Sequence, residues 1–303
     1  MPNTTEPPPG TNPNPDRASG HITTMNSSHK KRILTAVILL PILAGAIAAR
    51  GWFEFAALAA IATVGLWEFY GMFWKDARHT WLRLSGAALG VLILWAGKTG
   101  HYGLILAALI GAFWVSSLAF LLRFSRHPEE QTEANSFGLA SVLVTGLMYV
   151  PVMLQFFFSF LRVEIVVVLA AVMAADTGAF YAGSLVGGPK IWPVISPKKT
   201  WAGSIGGMTA SVLVCLIAGG VDEYMLAGAG AGRPWWMWAL LGMGLNISSQ
   251  FGDFIESALK RRQSVKDSGT LLPGHGGVLD RIDSLLLAVA TYAGLDAVFH
   301  FFR

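Results

Sequence analysis

From Asp253 to Asp283 the chain reads DFIESALKRRQSVKDSGTLLPGHGGVLDRID, a polar, doubly charged and glycine-rich segment between two apolar stretches. Three aspartates in it, Asp253, Asp280 and Asp283, could share a metal ion, because carboxylate oxygens suit hard cations. Five cations, Lys260, Arg261, Arg262, Lys266 and Arg281, could hold phosphate oxygens. Carboxylates and cations together at the edge of oily sequence point to chemistry on a phosphate-bearing substrate beside a bilayer.

The spacing sharpens this reading. On a helix Asp280 and Asp283 stand at i and i+3, on one face, where two carboxylates repel unless a cation sits between them. They also open the last apolar stretch, where a helix dipole favours negative charge, so a solvated helix cap is the plain alternative. Asp253 adds weight to the metal, since it lies within an apolar helix, where an ionised group is costly and usually functional. Glu256 and Lys260 are spaced i, i+4, which makes Glu256 a salt-bridge partner more readily than a ligand. Pro273-Gly274-His275-Gly276-Gly277 could bring backbone N–H groups close to an anion, or could be a flexible turn. His275 could bind phosphate or shuttle a proton, although a loop histidine more often does neither.

A second polar segment runs from Asp176 to Trp201, DTGAFYAGSLVGGPKIWPVISPKKTW. Asp176 again falls inside an apolar span. Lys198 and Lys199, flanked by Ser196 and Thr200, suit a triphosphate at a membrane surface, with ordinary loop charge as the alternative. Glu68, in an earlier apolar stretch, reads best as a hydrogen-bond partner for a neighbouring helix. P-loop, zinc, GxSxG and kinase motifs are absent, and no internal repeat is visible.

The elements that must position these residues are membrane helices. The chain has 303 residues, 53% hydrophobic and only 13% charged, whereas soluble domains carry about 25% charged residues. The single cysteine, Cys215, lies in an apolar run and can form no intrachain disulfide. Residues 1–29 are polar and Pro-rich, which predicts a disordered tail, with Met25 an alternative start to Met1; residues 30–303 form the transmembrane catalytic domain. A span needs about 20 mostly apolar residues. The pattern predicts an all-α, polytopic integral membrane protein of about nine transmembrane helices, near 33–49, 54–74, 84–97, 102–122, 137–160, 163–186, 203–220, 236–256 and 284–302. With a cytoplasmic N-terminus, only Arg50, Lys98, Arg162, Arg233 and Arg303 of the 22 Lys and Arg fall outside, as the positive-inside rule requires. Trp235, Trp236 and Trp238 would then form an aromatic belt at the outer interface.

Ser257-x-x-Lys260-Arg261, Lys266-Asp267 and Pro273-x-His275-Gly276-Gly277-x-x-Asp280-Arg281-x-Asp283 together resemble the signature of the phosphatidate cytidylyltransferase (CDP-diacylglycerol synthase) family. Asp176-Thr177-Gly178-Ala179 and Ser196-Pro197-Lys198-Lys199-Thr200-Trp201 are also similar to it, and Glu68-Phe69 more weakly. Two positions depart from the family pattern: Ala202 replaces a common Glu, and Ser184 a common basic residue.

The resemblance implies phospholipid biosynthesis in which CTP and phosphatidate give CDP-diacylglycerol and pyrophosphate, with Mg²⁺ and a second cation, K⁺ being the candidate. It implies that Asp253, Asp280 and Asp283 hold the cations, and that Lys260, Arg261, Lys266 and Arg281 hold phosphates. Asp176, Ser196, Lys198, Lys199, Thr200 and His275 would line the polar cavity. Membrane lipid is the expected partner, nucleic acid is not, and a homodimer and a bacterial inner membrane are the accompanying expectations. The alternatives are a CTP-dependent lipid kinase, which would release CDP, and a transporter with Asp176 and Asp253 along its path.

Overall fold

The computed structural model describes residues 45, 49–76, 79–126, 138–225, 233–271 and 276–302. Among these there is no β-strand, and the elements are α1 (Gly51–Phe73), α2 (Thr80–Thr99), α3 (Tyr102–Arg126), α4 (Gly138–Tyr149), α5 (Pro151–Leu154), a 3-10 turn (Gln155–Ser159), α6 (Arg162–Leu185), α7 (Trp201–Met225), α8 (Trp235–Arg262) and α9 (Leu279–Phe299). The all-α, membrane-spanning reading holds. Against about nine predicted spans, seven helices among the described residues are long and apolar enough to cross a membrane.

Two predicted spans account for the difference. The first, 33–49, lies almost wholly outside the described residues, as does the predicted tail. The eighth, 236–256, forms α8, which at 28 residues measures about 42 Å. That length crosses a bilayer core easily, but Asn246, Ser248, Ser249, Gln250, Asp253 and Glu256 make the helix too polar to count by composition. In compensation, α8 is packed against α7 and α9. The predicted fifth span is one apolar stretch, Ser141–Ser159, broken at Val150–Pro151 into α4, α5 and the 3-10 turn, because proline cannot continue the α-helical hydrogen bonds.

Lipid tails offer helices no hydrophobic reason to associate, so close packing through small residues substitutes for it. At the α6–α7 crossing a side chain on Gly178 would lie 2.7 Å from the Gly206 carbonyl, and one on Gly207 2.7 Å from that of Ala175. The two backbones therefore touch. On the opposite flank α3 turns Leu106, Ile110, Trp114 and Leu118 outward, as a lipid-facing helix would. The tryptophan belt is partial: Trp235 and Trp236 are exposed, but Trp238 is 2% exposed and packs on Phe301 and Phe302.

The cations sort by end of the bundle. Arg50 donates to the Phe160 carbonyl, Lys98 to that of Gly51 (2.7 Å) and Arg233 to that of Phe299 (3.2 Å), which gathers three of the sparse cations at one end. At the other end Lys75, after α1, donates to the Gln263 carbonyl (3.4 Å), after α8.

Gly178→Val forces a branched side chain against the α7 backbone. We expect a lower thermal unfolding transition in detergent, equivalent to about 1–3 kcal/mol; an unchanged transition would show that the crossing is not tightly packed.

Candidate active site

The last turns of α8, the first turns of α9 and the loop between α6 and α7 meet at the Lys75 end of the bundle. A side chain at Gly252 would collide with the backbone carbonyl of Asp283, so the missing Cβ is what lets α9 lie directly on α8 here. Tyr149, from α4, donates to the Gly252 carbonyl (3.4 Å) at the same contact.

Lys260 is the central charge. Its ammonium lies 2.6 Å from Asp280 Oδ1 on α9 and 2.7 Å from Glu256 Oε2 one turn back on α8. Those two hydrogen bonds offset the cost of burying its charge. The Glu256–Lys260 salt bridge predicted from spacing is thus present, and Lys260 points into the cluster. Arg261, Lys266 and Arg281 are exposed around it.

Asp280 is saturated. Besides Lys260, its Oδ2 accepts from the backbone N–H (2.9 Å) and hydroxyl (2.9 Å) of Ser268 and from the N–H of Gly277 (2.8 Å). The next two N–H groups, of Val278 and Leu279, donate to Glu68 at 3.0 and 2.8 Å. Glu68 comes from α1, is 7% exposed, and caps α9 across the bundle. The glycine turn does present N–H groups to anions, as its composition suggested. Those of residues 277–279 are occupied by the protein's own Asp280 and Glu68, leaving none of these three for a phosphate. His275 and Gly274 lie outside the described residues.

Asp253 belongs to a second knot. Its carboxylate pairs with Lys199 and accepts from Ser257 Oγ (3.0 Å). Lys199 also sits 4.5 Å from the centre of the Phe254 ring, and Asp176 lies close enough to feel the charges of both Lys199 and Asp253. The loop bearing Lys199 is closed by an antiparallel bridge between Lys190 and Thr200 and wedged by Trp192, whose ring meets Phe254 edge-on at 4.7 Å. Thr200 is 3% exposed and accepts from the Gly203 N–H (3.1 Å), capping the start of α7. Lys198 is exposed and Ser196 half-buried. At the two positions that depart from the family pattern, Ser184 is exposed and donates to the Tyr181 carbonyl of its own helix (3.0 Å), and Ala202 is half-buried in the first turn of α7.

The geometry brings together Asp176, Lys199, Asp253, Lys260, Asp280 and Asp283, drawn from three separated stretches of sequence. It does not gather Asp253, Asp280 and Asp283 around one point: among the described residues no three His, Cys, Asp or Glu side chains converge as a ligand set. Asp253 is committed to Lys199 and Asp280 to Lys260. Asp283, 7% exposed, accepts from the N–H (2.7 Å) and hydroxyl (3.3 Å) of Ser284 and faces Glu256 within hydrogen-bonding reach. Glu256 is fully buried, and its Oε1 has no hydrogen-bond partner. Two buried carboxylates in contact, one with an orphaned oxygen, fit a hard cation in donor chemistry. Sequence reasoning missed Tyr149, for which no local pattern exists, and read Glu256 only as a salt-bridge partner.

Comparison with known proteins places these residues in context. The chain matches the cytidylyltransferase family over residues 30–299. It is 46% identical to the phosphatidate cytidylyltransferase of Brucella suis biovar 1 (strain 1330) over 135 residues, 45% of this chain and 47% of that protein. To the phosphatidate cytidylyltransferase of Staphylococcus haemolyticus (strain JCSC1435) it is 38% identical over 157 residues, 51% of this chain and 58% of that protein. The aligned part thus spans about half the length of these curated relatives.

Glu68→Ala strips the acceptor from two backbone donors at the start of α9. A buried donor left unpaired costs about 1–3 kcal/mol. We expect faster amide hydrogen exchange at residues 277–280 and a lower unfolding temperature; unchanged exchange there would show that Glu68 does not hold the turn.

Proposed function

The chain belongs to the cytidylyltransferase family, and from that membership we propose that it transfers the cytidylyl group of CTP to phosphatidate, yielding CDP-diacylglycerol and pyrophosphate. The observation that carries this reading is the Lys199–Asp253 ion pair. It joins the lysine-bearing α6–α7 loop to the acidic ends of α8 and α9 at one end of a membrane-spanning bundle. A water-soluble nucleotide and a lipid phosphate can meet only at such an end.

A phosphate oxygen of phosphatidate attacks the α-phosphorus of CTP, and the bond from that phosphorus to the β-phosphate oxygen breaks. Pyrophosphate leaves with the bonding pair. The lipid phosphate is itself the nucleophile, so the protein needs to supply only position and charge. Lys198, exposed, and Lys199, held beside Asp176 and Asp253, receive phosphate oxygens; Arg261, Lys266 and Arg281 form the cationic rim, and Ser196 and His275 complete the polar lining. Lys260 and Thr200 act from within, one holding Asp280 and the other capping α7. Mg²⁺, held by Asp283 with its buried neighbour, would neutralise phosphate charge when bound, and K⁺ is the candidate second cation. The end of the bundle that bears the site faces the cytoplasm of a bacterial inner membrane, where CTP is made. Homodimer formation belongs to the same reading.

A transfer assay tests this. The purified chain in detergent receives α-³²P-CTP, phosphatidate and Mg²⁺, with and without chelator. Labelled CDP-diacylglycerol that vanishes with chelator is expected. Labelled lipid from γ-³²P-CTP instead would assign a lipid kinase, and no labelled lipid from folded protein overturns the proposal. Asp283→Asn is expected to lower turnover by about 100-fold or more while leaving membrane insertion intact. Wild-type turnover in that variant would remove Asp283 from the reaction.

A further inference from the structure

The loop between α6 and α7, residues 186–200, has features that a loop in water does not need. Val194 at its turn is 89% exposed, and Leu185, Val186 and Trp192 are exposed as well. Yet the loop is stiffly held. The bridge between Lys190 and Thr200 closes its base, and the Trp201 N–H donates to the Pro189 carbonyl (3.1 Å). The Ile191 N–H donates to the Lys199 carbonyl (3.2 Å), and those of Ile195 and Ser196 turn back to the Trp192 carbonyl (3.1 and 2.9 Å). Pro189, Pro193 and Pro197 carry no N–H at all. A rigid apolar turn with few open donors is what a segment entering lipid requires, since lipid offers no partner to a backbone N–H.

The neighbouring helix gives the depth. Leu240, Met243, Ile247, Phe251 and Ile255 are exposed at helical spacing and form one lipid-facing stripe along α8. Exposed Trp235 and Trp236, at the start of that helix, mark the outer interface. At 1.5 Å per residue, Phe251 and Phe254 lie about 24 and 29 Å from Trp235, inside a hydrocarbon core of about 30 Å, and any tilt of α8 draws them deeper into it. Trp192 meets both rings edge-on, at 6.1 and 4.7 Å. The loop therefore hangs on the lipid-facing flank of α8 at the inner edge of the core. We propose that it is an interfacial anchor, seated in the phospholipid leaflet at the Lys75 end of the bundle with Val194 about 5–10 Å below the headgroup phosphates. Lys190 and Lys198, both exposed, reach back to those phosphates along their apolar stems. The occupant is lipid because the turn continues a lipid-facing stripe and is flanked by ammonium groups that match headgroup phosphates. Under the proposed reaction, this seating also sets Lys199 at the depth of the lipid phosphate it receives.

Only the consequence for Lys199 rests on the proposed reaction. The seating itself is read without CTP, Mg²⁺ or phosphatidate, so either proposal can fail alone. Cys215, the single cysteine, is fully buried, so an introduced surface cysteine is the one that takes a nitroxide label. Val194→Cys is labelled in the full chain and reconstituted into vesicles of phosphatidylcholine and phosphatidylglycerol. Collisions of the label with oxygen, which concentrates in lipid, are then compared with those of a water-soluble nickel chelate by electron paramagnetic resonance. Ile110→Cys on the lipid-facing side of α3 is the lipid reference, and Asp76→Cys, exposed after α1, is the water reference. The side chain of Val194 is almost fully exposed, so its replacement leaves the fold intact. The label there should favour oxygen over the chelate, as at Ile110, and report a depth of about 5–10 Å. Chelate access equal to that at Asp76 would put the loop in water and overturn the anchor. A label that neither reagent reaches would mean that protein, such as a second copy of this chain, covers the turn, and would overturn it as well.

Discussion

A charge buried inside a membrane bundle must find its counter-charge within the protein, since neither lipid nor water is there to solvate it. The whole polar end of this molecule is arranged around that constraint. Lys260 stands between a carboxylate of its own helix and one of the next, with its side chain 14% exposed, and so ties the end of α8 to the start of α9. Removing it would strand Glu256 and Asp280 together. The apolar Gly252 contact allows the two helices to touch; the ion pairs determine the register in which they do so.

The same logic links the two halves of the chain. Glu68 reaches from α1 to the first turn of α9, more than two hundred residues later in sequence, and takes the N–H groups that a helix start leaves unpaired. The N-terminal helices are therefore more than a lipid-facing shell. Their contribution to the site is one carboxylate whose position fixes the glycine turn, and with it Asp280. Tyr149 adds a further tie from the middle of the broken fourth span. Both contacts couple bundle packing to the geometry of the acids, so a loosening of α1 or α4 would reach the site without touching it.

How much of this could be read from residues alone follows from how local each feature is. Helical spans were legible because apolar composition over some twenty residues is a strong signal, and the Glu256–Lys260 pair because helical spacing dictates it. α8 was placed as a span, yet its polarity, a cost repaid by burial against α7 and α9, takes it below the composition of a lipid-facing helix. Asp280 and Asp283 share a helix face, which suggested one shared cation. In the structure Asp280 turns to Lys260 and the glycine turn, while Asp283 turns to Glu256, because side chains from other segments compete for them. Pairings across long sequence separations, such as Glu68 with Leu279 or Lys199 with Asp253, carry no local spacing and appear only once the helices are packed.

The balance of charge at the site bears on how it could work. Asp176, Asp253, Glu256, Asp280 and Asp283 gather around Lys199 and Lys260, so acids outnumber bases in the interior of the cluster. The exposed Lys198 and the rim of Arg261, Lys266 and Arg281 can draw anions to the mouth. The site thus has an acidic interior and a basic rim. The acids that dominate the interior are also the partners through which Lys260 ties α8 to α9, so helix packing and the charge of the site rest on the same few side chains.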